Sequence, residues 1–290
     1  MVNKLILGTV QFGLEYGINN LNGKPDKEKV FEILSYAYDN GIKYLDTAEL
    51  YGDAHNLIGK FHKSNPTKKF NTITKFPNEF EDSVGEKINT YLTQLNVDQL
   101  HAILFHSFDS YLKHKDELKN IVQLKDKTVK YIGVSVYTNE QMNKVIDDLN
   151  IEIIQIPFNL FDNLNQRGEM LKNAKEKNKI IHTRSVFLQG LFFMKKNNPN
   201  IIRTKLEKEL DIISEISLKS SISIGSMALN YCLLQNNIDG VLIGVDSLLE
   251  LKENIAVLEN KISNQYIQEI EKINIQDVNL LNPSLWKSLV

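Results

Sequence analysis

One pattern constrains this chain more than any other. A short apolar or β-branched run is followed by a longer stretch with helical periodicity, and the alternation occurs eight times from end to end. The strand-like runs are Lys4–Val10, Tyr44–Thr47, Thr72–Lys75, Ala102–His106, Tyr131–Val136, Ile153–Pro157, Ile180–Ser185 and Gly240–Val245. Helical patterns between them include Lys27–Asn40, Ser83–Leu95, Asp116–Lys127, Asn139–Leu149, Gln166–Asn178, Thr204–Leu218 and Ile224–Gln235. In the first of these, Val30, Ile33, Leu34 and Ala37 recur at i, i+3, i+4 and i+7, one apolar face of a helix. Gly41 then stands where a C-terminal cap favours glycine.

Short strands apolar on both faces, each leading into a helix, predict a parallel sheet buried beneath helices. Eight such units in 290 residues favour an α/β fold closed into a (β/α)8 TIM barrel over an open doubly wound sheet. An open sheet that binds a dinucleotide carries Gly-x-Gly-x-x-Gly after its first strand. Here that position reads Leu7-Gly8-Thr9-Val10-Gln11-Phe12-Gly13, which does not match. No Pro/Gly/Ser-rich linker interrupts the alternation, so residues 1–290 read as one domain. Leu188–Ile202 is expected to be an irregular insert, and Asn260–Val290 an extra helix plus a tail.

A formal net charge of -2 gives no reason to expect a nucleic acid or an anionic membrane as partner. The single cysteine, Cys232, excludes an intrachain disulfide and is expected to be a buried thiol, because it lies in an apolar helical run. The first strand begins within a few residues of Met1, and no apolar run is long enough to span a bilayer. The expectation is a protein of the cytoplasm. One cysteine and no histidine pair at zinc-site spacing argue against a metal site.

Chemistry-bearing residues gather at the ends of successive strand-like runs. Asp46 ends the second run and Tyr51 follows it in Asp46-Thr47-Ala48-Glu49-Leu50-Tyr51-Gly52; Lys75 ends the third and His106 the fourth. In a barrel such positions converge on one mouth. A phenol near pKa 10 is a weak acid at neutral pH, and a nearby ammonium stabilises its anion. Lys75, held by Asp46, is expected to act on Tyr51 in this way, while His106 donates to a carbonyl oxygen. None of these groups supplies hydride, so the set calls for a nicotinamide cofactor. His55, His62, His101, His114 and His182 show no such arrangement and read as packing or surface residues.

These motifs, Asp-Thr-Ala-x-x-Tyr-Gly above all, resemble the aldo-keto reductase family over essentially the whole chain. The resemblance implies an NAD(P)H-dependent oxidoreductase acting on a small carbonyl substrate, with Asp46, Tyr51, Lys75 and His106 as its catalytic tetrad. Ser135 and Gln155 match residues that hold the nicotinamide carboxamide, although Val136 stands where the family usually has Asn. Pro157 and Asn159 follow Gln155 as they often do, and Asn254, with Glu253 beside it, matches an adenine-binding residue. Arg184, followed by Ser185, replaces the aromatic residue that commonly stacks on the nicotinamide. A planar guanidinium can also stack on a ring, or can bind an anionic substrate or a pyrophosphate.

Gly244-Val245-Asp246-Ser247 and Glu250 occupy the region where NADPH-dependent members place cations, with Lys252 the only cation nearby. NADPH is the family default, and two carboxylates at this end tilt the expectation toward NADH or dual use. Phe12, Leu14, Phe76, Phe158, Phe161 and Phe187 could form an apolar wall at the mouth. Gln11, Glu15, Asn159, Arg184 and Gln189 would add polar groups. The runs Val10-Gln11-Phe12-Gly13 and Phe187-Leu188-Gln189-Gly190 resemble family members of bacterial sugar and surface-polysaccharide pathways, which points to a carbohydrate-type substrate. The alternative is a regulatory or complex subunit that binds the cofactor with little turnover. A barrel running unrelated chemistry ranks lower.

Overall fold

The computed structural model describes residues 2–20, 23–259 and 261–288. Eight parallel strands close into a barrel in sequence order: β1 (Leu5–Gly8), β2 (Tyr44–Asp46), β3 (Asn71–Phe76), β4 (Leu100–Phe105), β5 (Val129–Ser135), β6 (Ile153–Pro157), β7 (Ile180–Arg184) and β8 (Gly240–Gly244). Closure comes from β1 pairing with β8, Gly8 opposite Gly244, as well as with β2, Gly8 opposite Asp46. The (β/α)8 architecture is therefore the one the alternation predicts.

Alternation along each strand sorts side chains into two layers. Leu5, Leu7, Leu45, Phe76, Ile103, Phe105, Ile132, Val134, Ile154, Ile156, Ile181, Val241 and Ile243 face outward into one continuous core beneath the helices. Ile6, Ile73, Ala102, Leu104, Ile153 and Leu242 face inward and form a second, smaller cluster that plugs the barrel. This parity positions the site. Counting by two from Ile73 puts Lys75 inside, and counting from Leu104 does the same for His106. Gln155 follows from Ile153 and Gly244 from Leu242.

Several boundaries differ from expectation. The first strand ends at Gly8, because the chain turns at Thr9 into a single helical turn, Val10–Gly13. The expected helix Asp116–Lys127 is only Leu118–Val122 after a 3-10 turn, Lys115–Glu117. Two further helices, Ala54–Ser64 and Leu248–Ala256, belong to the outer ring. The first carries His55 and His62 on its buried face beside Leu57, Ile58 and Phe61. His55 bonds Thr74 and Gln94, and His62 bonds the Leu95 carbonyl. Thr204–Leu218 resolves into Ile201–Lys205 and Glu207–Ser220. Leu188–Phe193 forms a 3-10 turn inside the insert, and Asn264–Glu271 is the extra C-terminal helix. Cys232 is fully buried. Among the described residues, no helix is long and apolar enough to cross a membrane.

Candidate active site

The C-terminal ends of the strands open into one cavity of about 1380 Å³. The expected catalytic and cofactor-binding residues line it: Asp46, Tyr51, Lys75, His106, Ser135, Gln155, Arg184, Ser185, Gly244, Asp246, Glu253 and Asn254. Val136 does not, because it faces outward into the core beneath the helices.

At the floor, Lys75 donates to one carboxylate oxygen of Asp46 and, at 3.1 Å, to the Thr47 carbonyl. The second Asp46 oxygen accepts from Gln155 Nε2 at 2.8 Å, a partnership that the sequence did not disclose. Gln155 thus braces the ion pair as well as lining the cavity. Burial pulls the Lys75 ammonium below the usual lysine range, and the Asp46 carboxylate pushes it back up.

Tyr51 sits at a close backbone crossing. A Cβ on Gly13 would lie 1.7 Å from the Tyr51 carbonyl oxygen, and one on Gly52, which turns the chain at φ +55°, would lie 2.6 Å from the Gly13 carbonyl oxygen. The Tyr51 carbonyl then accepts from the Ala54 amide at 3.1 Å, as the next helix begins. Lys75 Nζ lies 5.3 Å from the Tyr51 ring centroid, and the His106 ring meets it edge-on at 5.8 Å.

The electrostatics correct one expectation. Tyr51 is raised above the usual phenol range rather than depressed by Lys75, because burial and the Asp46 carboxylate both disfavour the phenolate. Lys75 is matched by Asp46, so the phenol faces an ion pair instead of a free ammonium. Arg184 is the cation that pulls the phenol downward. His106 is pushed down to about 3 by burial, with the charges of Lys75 and Arg184 adding to the effect, so its imidazole is neutral. It makes no hydrogen bond among the described residues. Its Nδ1 is sealed without a partner, which leaves Nε2 as the nitrogen open to the cavity.

Sequence reasoning missed Tyr16 and Tyr137, which line the cavity beside Arg184. Their signal was position alone: Tyr137 lies two residues beyond β5, and Tyr16 in the loop after β1. It also overdrew the apolar wall. Phe12, Phe76, Phe158 and Phe161 are fully buried in the core, and of that set only Phe187 reaches the cavity, joined there by Phe192 and Phe193. Of the polar set, Gln11, Arg184 and Gln189 line it; Asn159 is buried, and Glu15 lies outside the lining.

A family model described as the aldo/keto reductase family matches residues 4–275. The chain belongs to the aldo/keto reductase family. An uncharacterized oxidoreductase of Bacillus subtilis, YqkF, is 24% identical over 96% of this chain and 98% of its own. The aldo-keto reductase str7 of Strobilurus tenacellus is 26% identical over 86% of this chain and 82% of its own. The solved structure of aldo-keto reductase AKR11C1 from Bacillus halodurans (holo form) shares the fold, with a TM-score of 0.77 at 21% identity, covering 94% of both chains.

As an aldo/keto reductase the protein is an NAD(P)-dependent oxidoreductase, and its cavity can be tested against that cofactor. The cavity reaches from Tyr51 and His106 to Asp246, Glu250 and Asn254, and exceeds the usual volume of about 300–1,000 Å³ for one small ligand. Midway, Gln11 lies over Gly244, where a Cβ would come within 2.4 Å of its Nε2, and Gln11 Oε1 is buried without a partner. A long cleft with the unpartnered Gln11 Oε1 in its wall fits an extended dinucleotide. At the far end burial and Glu250 push Asp246 up to about 6, and Glu250 accepts from the Asp246 amide at 2.8 Å. Lys252 is directed elsewhere, with its Nζ 5.3 Å from the Tyr36 ring centroid and outside the lining.

Proposed function

We propose that the protein reduces the carbonyl of a small aldehyde or ketone, or oxidises the matching alcohol, with Asp46, Tyr51, Lys75 and His106 as its catalytic groups. The observation that carries this reading is the convergence of all four on the floor of one cavity, with Tyr51 held in its protonated form. A bound nicotinamide supplies the hydride that no residue of the chain can provide. Tyr51 gives its proton to the carbonyl oxygen as negative charge builds there. His106, neutral and open at Nε2, donates to the same oxygen and fixes its direction. Arg184 stabilises the phenolate left behind, and Asp46 and Gln155 hold Lys75 beside the Tyr51 ring.

Ser135, Gln155, Ser185, Gly244, Glu253 and Asn254 are the residues that would hold the cofactor. At its adenosine end the charge pattern favours NADH, or use of both cofactors, over strict NADPH dependence. The lining there carries Asp246, Glu250 and Glu253, whereas its cations among the described residues, Lys75 and Arg184, stand at the catalytic end. A 2′-phosphate would face like charge, while a ribose hydroxyl can donate to Asp246. Gln11 and Gln189 at the mouth suit a hydroxyl-rich, carbohydrate-type substrate.

Turnover of a carbonyl panel, followed by nicotinamide absorbance, tests the chemistry. Tyr51→Phe should abolish it, and unchanged activity in that variant would sink the mechanism. A single burst without steady turnover would instead indicate a cofactor-holding regulatory subunit. Dissociation constants for both reduced cofactors at one ionic strength test the preference. NADPH binding tenfold tighter, about 1.4 kcal/mol, would overturn the charge argument. A thermal-shift screen of sugar aldehydes with cofactor present tests the substrate class, and no stabilisation by any sugar would remove it.

A further inference from the structure

Among the described residues, charges around the catalytic floor are paired by direct contact, with one exception, Arg184, which acts on the Asp162 carboxylate only at a distance. Asp46 is matched by Lys75. Asp162 is gripped from two sides by Arg167, Nε to Oδ1 at 2.6 Å and Nη2 to Oδ2 at 2.7 Å. His106 is neutral. Arg184 remains. Its hydrogen bonds among the described residues are long and reach only neutral oxygens: Ser135 Oγ at 3.3 Å, Ser185 Oγ at 3.4 Å and the Val136 carbonyl at 3.3 Å. A guanidinium has five N–H donors in a fixed fork, so two are left over.

The side chain is nevertheless firmly seated. Its guanidinium carbon lies 4.0 Å from the centroid of the Tyr137 ring. Tyr137 is itself pinned at both backbone groups: its amide donates to Gln141 Oε1 at 2.8 Å, and its carbonyl accepts from Arg167 Nη2 at 2.7 Å. Arg184 thus rests on a platform built by the buried Asp162–Arg167 pair, on the wall of the cavity that Tyr51 and His106 also line. A cation with no carboxylate in contact among the described residues, on a rigid support and half-buried in a concave site, is the arrangement that recognises anionic oxygens.

We infer that Arg184 is an anion anchor: the carbonyl substrate carries a carboxylate or phosphate that binds this guanidinium while its carbonyl group meets Tyr51 and His106. The inference rests on the carbonyl-reducing reading, and it narrows the substrate to an anionic aldehyde or ketone, sugar acids and sugar phosphates included. The proximity of Arg184 to the reacting groups supports it, since its charge is felt by Tyr51, Lys75, His106 and Tyr16 alike.

The test compares matched substrates. Succinic semialdehyde is set against butanal for the carboxylate, and glyceraldehyde 3-phosphate against glyceraldehyde for the phosphate. Wild type should favour the anionic member of at least one pair by about tenfold or more in kcat/KM, and the pair that responds identifies the group. Arg184→Met should cut that ratio by about tenfold, and Arg184→Lys, which keeps the charge without the fork, should retain part of it. No preference in wild type, or a ratio that survives Arg184→Met, overturns the inference. Weaker NADH binding in Arg184→Met with the ratio intact also overturns it, by assigning the guanidinium to the cofactor. If wild type turns over no carbonyl at all, the carbonyl reading has failed, and calorimetry still decides the anchor. Binding of 4-hydroxybutyrate but not 1-butanol, or of glycerol 3-phosphate but not glycerol, and its loss in Arg184→Met, sustains the inference; equal or absent binding of anion and neutral partner refutes it.

Discussion

Replacing Asp46 with Asn should reveal how much of the site's stability rests on one charge. The Asp46 and Lys75 side chains are 2% and 1% exposed, so the pair has almost no water to fall back on. The amide of Asn can still accept from Gln155 Nε2, and the main loss is therefore the charge facing Lys75. Removing one partner of a buried ion pair costs about 3–5 kcal/mol, because the other charge is left uncompensated. Lys75 can relieve that cost by giving up its proton, and its ammonium is already lowered by burial in the presence of Asp46. Without Asp46 it falls further. A lysine depressed in the folded state binds fewer protons than in the unfolded chain, so stability rises with pH by up to about 1.4 kcal/mol per unit within that window. The gap between Asp46→Asn and wild type should therefore narrow as pH rises from the variant's lysine pKa to the wild-type one. Urea unfolding at fixed ionic strength from pH 7 to pH 9 measures it. Adding Lys75→Met to Asp46→Asn removes the stranded charge and should restore most of the loss. A gap that stays constant with pH, or a double variant less stable than Asp46→Asn alone, would refute the reasoning.

His106→Ala should lower kcat/KM about 100- to 1,000-fold through loss of an oxyanion donor, read from steady-state rates; a rise in KM with kcat unchanged would make it a binding residue only. Acidification should destabilise the protein through His101, pushed down to about 4, and His106 and His182, each pushed down to about 3. The unfolded chain takes up those protons first, so the stability they contribute is full above about pH 6.5 and is lost toward pH 4 and below, at up to about 1.4 kcal/mol per unit for each imidazole. Urea midpoints at neutral and acidic pH would show the fall, His182→Leu should flatten it, and a midpoint independent of pH would contradict it. Arg167→Met strands the buried Asp162 carboxylate and should cost about 3–5 kcal/mol in urea unfolding. Wild-type stability in that variant would mean that the pair is not structural.

The architecture was legible in the sequence for reasons of periodicity, whereas the residues of the site came from their places at strand ends and from the family resemblance. Repeated strand and helix periods leave few ways to bury so many two-sided strands, and a closed barrel is one of them. Within each strand, parity decides direction: Lys75 lies inside because Ile73 does, and the neighbouring Thr74 and Phe76 must then face outward. The helix Ala54–Ser64 keeps an apolar face in Leu57, Ile58 and Phe61, but the burial of His55 and His62 on that face shows only once Thr74, Gln94 and Leu95 are seen to satisfy them. The apolar wall failed for the opposite reason, since a phenylalanine beside a strand end packs outward as readily as inward.

Only the tertiary structure decided the balance of charge. Gln155 braces Asp46 from 109 residues away, Asp46 cancels the ammonium expected to act on Tyr51, and Arg184 keeps its charge unmatched on the Tyr137 ring. Sequence fixes which charges a chain carries and which face of a strand each one takes. Desolvation and Coulomb energy depend on distance and on exclusion of water, and both are set by strands that meet only when the barrel closes.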